Sequence, residues 1–277
     1  MDYWQRRNLR AQEAISNKSI KEIEKQLSKY YNRTAKRVMR EFEATYNKLL
    51  ATTAAGRAPT PADLYKLDKY WQMQGQLQRE LQKLGDQSVK VMQEAFVKQY
   101  TGVYNSLALP GGAHYTTVSR ETALQMINSI WCADGKAWSA RIWGDMDRLQ
   151  QTLNDGLLHI VTTGQGTSEL RRELMGQALD QMAGGKLTAA TYEEFMKAYR
   201  QADCIVRTEV AHIQTQAAQK RYQDYGIKEV EVWVDEDERT CPICAKHEGE
   251  RYNVNDKMPV PFHPRCRCCM IPVVEVE

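Results

Sequence analysis

The chain has 277 residues, 42% of them hydrophobic and 26% charged, with a formal net charge of +3. That is enough apolar material for one large core or two modest ones, and no run approaches the roughly 18 apolar residues of a membrane span. A folded protein with no membrane partner is expected, and the first ten residues lack the apolar stretch of a secretory signal, so residence in the cytoplasm is expected too. Charge is uneven: residues 1–50 hold twelve Lys/Arg against six Asp/Glu, and residues 223–277 hold seven against twelve. The basic end suits nucleic acid or an acidic protein face, although a solvated helix needs nothing more than such charges for solubility.

In chain order, Ile20, Ile23, Leu27, Tyr31, Val38, Phe42, Tyr46 and Leu49 recur at helical spacing and predict a first long helix. The segment Thr53–Pro61 breaks it, with Thr60 and Pro61 as cap and first position of the next helix. Leu64, Leu67, Trp71, Leu77, Leu81 and Leu84 form that helix's apolar face, continued after Gly85 by Val89, Met92, Phe96, Tyr100 and Val103. Two long antiparallel helices are predicted, ending in a loop at Leu109–Gly112.

Helical spacing resumes through Met126, Ile130 and Trp131, and then through Ile142, Met146, Leu149, Leu153, Leu157 and Val161. Gly164-Gln-Gly166 stops that stripe, and Thr167 caps a helix carrying Leu170 and Leu174 that ends at Gly184-Gly185. Thr191 with Glu194 fits a capping box that opens a last helix, carrying Phe195, Tyr199, Val206, Val210, Ile213 and Ala217 up to Gly226. From Lys228 the period drops to two: Val230, Val232 and Val234 alternate with charged or large residues, as in a half-buried strand. Met270–Val276 offers a partner strand, with Pro272 calling for an edge. The fold class is therefore mainly α with a small α+β module at the C-terminus. The expected division is 1–110 for the N-terminal long helices and 111–277 for a second domain, within which 228–277 is a Cys/His-stabilised β module.

The chemistry concentrates in that module. Cys241-Pro-Ile-Cys244 is followed, after eighteen residues, by His263-Pro-Arg-Cys266-Arg-Cys268-Cys269. A Cys-x-x-Cys turn sets two thiolates on one side of a knuckle, and a second Cys/His cluster closes a tetrahedron around Zn²⁺, which takes thiolate and imidazole readily. Cys241, Cys244, His263 and Cys266 are the first choice of shell, with Cys268 the substitute and His247 nearby. Disulfides are disfavoured in a cytoplasm, and a redox dithiol wants a βαβ setting that is absent here. A closed four-ligand zinc is structural: it leaves no place for a substrate water, and a fifty-residue module without its own core needs it to fold. Cys132 and Cys204 read as buried helical residues.

These residues together resemble a known family. Arg207-Thr-Glu209 on a long helix, Trp233-Val-Asp235, Arg239-Thr-Cys241-Pro-Ile-Cys244, Gly249 and Pro261-Phe-His263-Pro-Arg-Cys266-Arg-Cys268 are similar, in this order, to the C-terminal domain of phage head morphogenesis proteins of the Mu F type. Gly164-Gln-Gly166-Thr-Ser-Glu-Leu170 resembles the family's glycine break and helix start, so the likeness runs over about 120–275. The resemblance implies a minor head protein of the virion, acting in prohead assembly inside the capsid near the portal. Its implied partners are portal protein, scaffold or major capsid protein, with packaged DNA as a further one and no small-molecule substrate. Some relatives continue into an enzymatic or toxin domain; nine residues after Cys268 leave no room for one, so the short structural form is expected.

Two other classes compete: a zinc-stabilised DNA-binding protein, and an effector that transfers ADP-ribose or cuts nucleic acid through Arg207 and Glu209. Glu209-Val-Ala-His212 has the spacing of a di-iron half-site but no second copy, which favours a packed histidine. Arg207 and Glu209 are expected to anchor their helix to the β module through charge-assisted hydrogen bonds. Zincin, Walker A, nucleophile-elbow and dinucleotide motifs are absent from the sequence. Asp235–Glu238 reads as a solvated turn. No catalysis is expected.

Overall fold

The computed structural model describes residues 1–52, 69–109, 117–163, 187–234, 238 and 240–274. The expected breaks and caps at Thr53–Pro61, Pro110–Gly112, Gly164–Thr167 and Gly184-Gly185 lie outside them, as do Leu64, Leu67, Leu170, Leu174, most of the acidic run, and the side chains of Tyr46, Leu49, Leu157 and Val161. The described elements are α1 (Tyr3–Thr52), α2 (Lys69–Ser106), α3 (Arg120–Ile127), α4 (Trp138–Thr163), α5 (Leu187–Asp224), β1 (Glu229–Trp233), α6 (Pro242–Ala245), β2 (Arg251–Asn253) and β3 (Cys269–Pro272). The chain is mainly helical with a small sheet at its end, as predicted. It divides into two compact units, one of Met1–Lys25, Lys90–Arg141 and Asp203–Glu277, the other of Gln26–Val89 and Ile142–Ala202.

The second unit is helix packed on helix. Leu27, Tyr31, Val38, Phe42, Leu77, Leu81, Leu84, Ile142, Met146, Leu149 and Leu153 are buried, the stripes anticipated from spacing. Tyr31 meets Tyr199 edge to face at 5.7 Å, and the Tyr192 hydroxyl donates to Asn32 Oδ1 at 2.8 Å. Gly85 does not break α2: it lets the helix approach Trp143 so closely that an added Cβ would lie 2.3 Å from the indole ring. Trp71, expected on the apolar face, is 60% exposed.

In the first unit α1 starts well before Ile20. Asp2 and Gln5 form a reciprocal cap, Gln5 N donating to Asp2 Oδ1 at 2.8 Å and Asp2 N to Gln5 Oε1 at 2.9 Å. The buried face then runs through Asn8, Gln12, Ser16 and Ser19, a helical stripe made of polar residues. Each has a partner: Asn8 both donates to and accepts from the Ala108 backbone at 3.0 Å, Gln12 donates to Met270 O at 3.1 Å, and Gln99 accepts from Ser19 at 2.6 Å while donating to Ser16 at 2.7 Å. Asn8 opposite Ala108 and Ser19 opposite Gln99 make α1 and α2 antiparallel, as expected.

α3 opens on Ser119, whose hydroxyl accepts from Thr122 N at 3.1 Å, and buries Ala123 and Ile127. The spacing-based extension through Ile130 and Trp131 is corrected: the helix ends at Ile127, Ile130 is 61% exposed, and Trp138 Nε1 donates to the Ile127 carbonyl at 3.0 Å. The capping box at Thr191 is likewise corrected, since α5 begins at Leu187 and Thr191 is a buried interior residue. α5 ends at Asp224 and the chain turns away at Gly226, where φ is +77° and Ile227 N returns to Tyr222 O at 3.0 Å.

The sheet has the order β2-β1-β3, both neighbours antiparallel to β1. Val230 and Val232 face inward and Pro272 sits on an edge strand, as the alternation and the proline required. β3's carbonyls at Pro272 and Met270 accept from the amides of Gln5 and Gln12, and Leu9 packs on Cys269 and Ile271. The N-terminal turns of α1 thus close over β3.

Candidate metal centre

Two arms carry the candidate ligands. In the first, Cys241 is the N-cap of α6, Pro242 opens the turn, and Cys244 N donates to Cys241 Sγ at 3.4 Å. One helical turn therefore holds both sulfurs on the same side, with Cys244 buried and Cys241 half-buried. The second arm is the tight turn His263–Cys266, closed by Cys266 N to His263 O at 3.2 Å. Arg265 at its apex is left-handed, with φ +63°, a conformation costing roughly 1–2 kcal/mol in an L-residue other than glycine. Two contacts to α5 hold it there: its N–H donates to Thr208 Oγ1 at 3.1 Å, and its guanidinium pairs with Asp203 at 2.7 Å.

His263 joins the arms. Its Nδ1 donates to the Pro264 carbonyl at 2.7 Å, which leaves the Nε2 lone pair facing Cys241 Sγ at 3.1 Å and Cys244 Sγ at 3.0 Å. This backbone-oriented tautomer is the one metal-bound histidines use. Cys244 Sγ also lies 3.7 Å from Cys266 Sγ. The five predicted residues therefore come together as two overlapping triads, Cys241–Cys244–His263 and Cys244–Cys266–Cys268, each with donor atoms within 4.8 Å of one another.

The donor set fits a metal ion. Tetrahedral bonds of about 2.3 Å to sulfur and 2.0–2.1 Å to nitrogen imply sulfur–sulfur edges of about 3.8 Å and sulfur–nitrogen edges of about 3.6 Å. The Cys244–Cys266 separation matches, and the histidine contacts are about half an ångström short of the edge. Cys241, Cys244, His263 and Cys268 line a cavity of about 40 Å³, room for a single ion. Electrostatics favour thiolate at one position: hydrogen bonds from the Cys268 thiol and from the backbone N–H groups of Cys268 and Phe262 draw Cys266 down to about 5, whereas burial pushes Cys244 up to about 12. Ligation would displace the protons shared among these sulfurs.

The other cysteines and His247 lie elsewhere. Cys269 turns into the apolar cluster with Leu9 and Ile271. Cys132 is half-buried in the segment after α3 rather than in a helix, and Cys204 is half-buried on α5. His247 stacks on Phe262 at 4.1 Å and pairs with Glu250 at 2.8 Å.

Arg207 and Glu209 do not share a site. Arg207 bonds Glu24 and Asp203, while Glu209 accepts from Trp131 Nε1 at 3.2 and 3.3 Å. The charge-assisted link between helix and β module expected of these two residues is instead made by Arg265 with Asp203, beside neutral bonds from Gln219 and Gln223 of α5 to the Val254 carbonyl. Trp131 also stacks on His212, 4.2 Å away and 12° from parallel, so His212 is a packed histidine as expected. Sequence reasoning missed the Glu209–Trp131–His212 assembly; the signal was a glutamate and a histidine on one face of a helix that buries Val206, Val210 and Ile213 around them. Burial raises Glu209 to about 7 and lowers His212 to about 4.

Residues 151–271 match a family described as Phage Mu protein F like protein. No curated protein and no solved structure gives a significant match.

The pair makes a testable pH profile. Glu209, raised in the folded state, lends stability that is complete below its ordinary value near 4.5 and lost as pH rises through about 7. His212, lowered, lends stability complete above 6.5 and lost as pH falls through about 4. The slopes oppose, so these two groups together leave stability nearly level from pH 5 to 8. Glu209→Gln removes one slope: the change in stability it causes should become more favourable by about 2 kcal/mol between pH 5 and 8 in urea titrations. A variant curve parallel to that of the wild type would refute this.

Proposed function

We propose, from the match of residues 151–271 to the family described as Phage Mu protein F like protein, that this chain is a phage minor head protein acting in prohead assembly close to the portal. The family match carries this reading. The family is structural rather than enzymatic, and the separate partners of Arg207 and Glu209 support a role without catalysis. Portal protein, with scaffold or major capsid protein, is the proposed partner. The division into 1–110 and 111–277, with 228–277 as the metal-held module, belongs to the same proposal. The test is assembly: proheads made with the chain should carry it at the portal vertex, in few copies, by cryo-electron microscopy. Proheads that exclude it, or hold it evenly over the shell, would overturn the reading.

Zinc is the proposed ion, held by Cys241, Cys244, His263 and a thiol of the Cys266–Cys268 pair. It would tie α6 to the arm that leads into β3. The backbone-fixed tautomer of His263 and the tetrahedral edge between Cys244 and Cys266 support it. Binding of this kind contributes on the order of 10 kcal/mol in small zinc modules. Purified protein should contain one zinc per chain by mass spectrometry, and chelation should abolish amide-exchange protection at Val230, Val232 and Ile271, whose N–H groups lie in the ladder. Metal-free protein with those amides still protected rules the role out.

DNA is the proposed second partner, on the strength of α1's exposed residues. In the first unit Arg7, Arg10, Lys18, Lys21 and Lys25 are exposed, the three lysines on the face away from buried Ser16, Ser19 and Ile23; in the second unit Lys29, Arg33, Lys36 and Arg40 are exposed. Rows of this kind recognise phosphates without reading sequence. Replacing Lys18, Lys21 and Lys25 with Gln should weaken duplex binding at low salt and lower the log K against log salt slope by about 2–3. An unchanged slope would remove this surface from the account.

A further inference from the structure

The zinc reading needs four donors, whereas the two arms bring five. Cys266 and Cys268 are two residues apart on the segment that leads from the His263–Cys266 turn into β3. Cys269 enters the apolar cluster with Leu9 and Ile271. The thiols of Cys266 and Cys268 both reach Cys244, and all three sulfurs lie within 4.8 Å of one another.

Each of the two meets a different requirement. Cys266 has the coordination-length separation from Cys244, 3.7 Å. Cys268 lines the 40 Å³ cavity together with Cys241, Cys244 and His263. Cys241, Cys244 and His263 themselves form a compact set with contacts of 3.0 and 3.1 Å through the imidazole. Both Cys266 and Cys268 are buried, so the one outside the shell has a sulfur, rather than water, as its neighbour.

We propose that the shell has three fixed donors, Cys241, Cys244 and His263, and a fourth position shared by Cys266 and Cys268, either of which closes it. This rests on the zinc reading above. The thiol outside the shell donates its S–H to the bound thiolate. Exchange transfers that proton from the incoming sulfur to the outgoing one as one metal–sulfur bond forms and the other breaks. The charge of the site is unchanged and no oxidant or reductant takes part.

The experiment compares the full chain with Cys266→Ala, Cys268→Ala and the double variant, measuring zinc by mass spectrometry, affinity by competition with a chromophoric chelator, and thiolate number from the charge-transfer band of the cobalt-substituted proteins. Each single variant should keep one metal with affinity reduced about 10-fold, the scale of losing a hydrogen-bonding neighbour of a ligand. Its cobalt band should equal that of the wild type, and the double variant should lose stoichiometric metal. A single variant that loses its metal, or a double variant that keeps it, overturns the sharing while leaving the zinc reading in place. Wild-type protein that binds no zinc ends both. A second measurement needs no substitution: slow alkylation of the zinc-loaded wild type should place one label per chain on this pair, divided between Cys266 and Cys268. Label confined to one of them overturns the proposal.

Discussion

The buried sulfur of Cys244 is the point on which two distant stretches of chain converge. From one side come the α6 turn and Cys241; from the other, eighteen residues later, come His263, Cys266 and Cys268. Polar donors at contact distance stand where a larger domain would have hydrocarbon. Bare thiols and an imidazole cohere weakly, so an ion bound among them would add to the cohesion that the buried Val230, Val232, Val254, Met270 and Ile271 supply.

The geometry reaches beyond the cluster through Arg265. Its strained backbone is held by Thr208 and Asp203 of α5, and Asp203 also bonds Arg207, which reaches Glu24 of α1. β3 begins at the residue after Cys268, and its carbonyls accept from Gln5 and Gln12. The second arm is therefore fixed at both ends, by a helix at one and by a strand at the other. Shells of this kind owe their geometry as much to what orients the ligands as to the ligands themselves.

Much of this was legible in the sequence. Hydrocarbon at intervals of three and four announced the buried faces of α1, α2, α4 and α5, and alternation with a late proline announced β1 and an edge β3. Cys-x-x-Cys and the His/Cys arm announced five residues that the fold does bring together. The failures have physical causes. Asn8, Gln12, Ser16 and Ser19 are buried at helical spacing, but a search for apolar periodicity passes over amides and hydroxyls, so the beginning of α1 was missed although Asp2 and Gln5 have capping-box spacing. Ile130 and Trp131 kept the helical interval by coincidence; α3 had already been closed by the Trp138 indole. The three-residue β2 and the clamp by Arg265 depend on distant contacts that local patterns do not encode.

The polar seam of α1 has one more consequence. Greasy stripes are forgiving: two helices joined by leucines can slip past each other by a full turn and find nearly equivalent packing. Amides and hydroxyls matched to particular partners, as Asn8 is to Ala108 and Gln99 to Ser16 and Ser19, have no such second-best alignment, because a slip would strand these donors. The seam works as a vernier: it fixes the axial setting of the first helix, and with it the height at which Gln5 and Gln12 meet the carbonyls of β3.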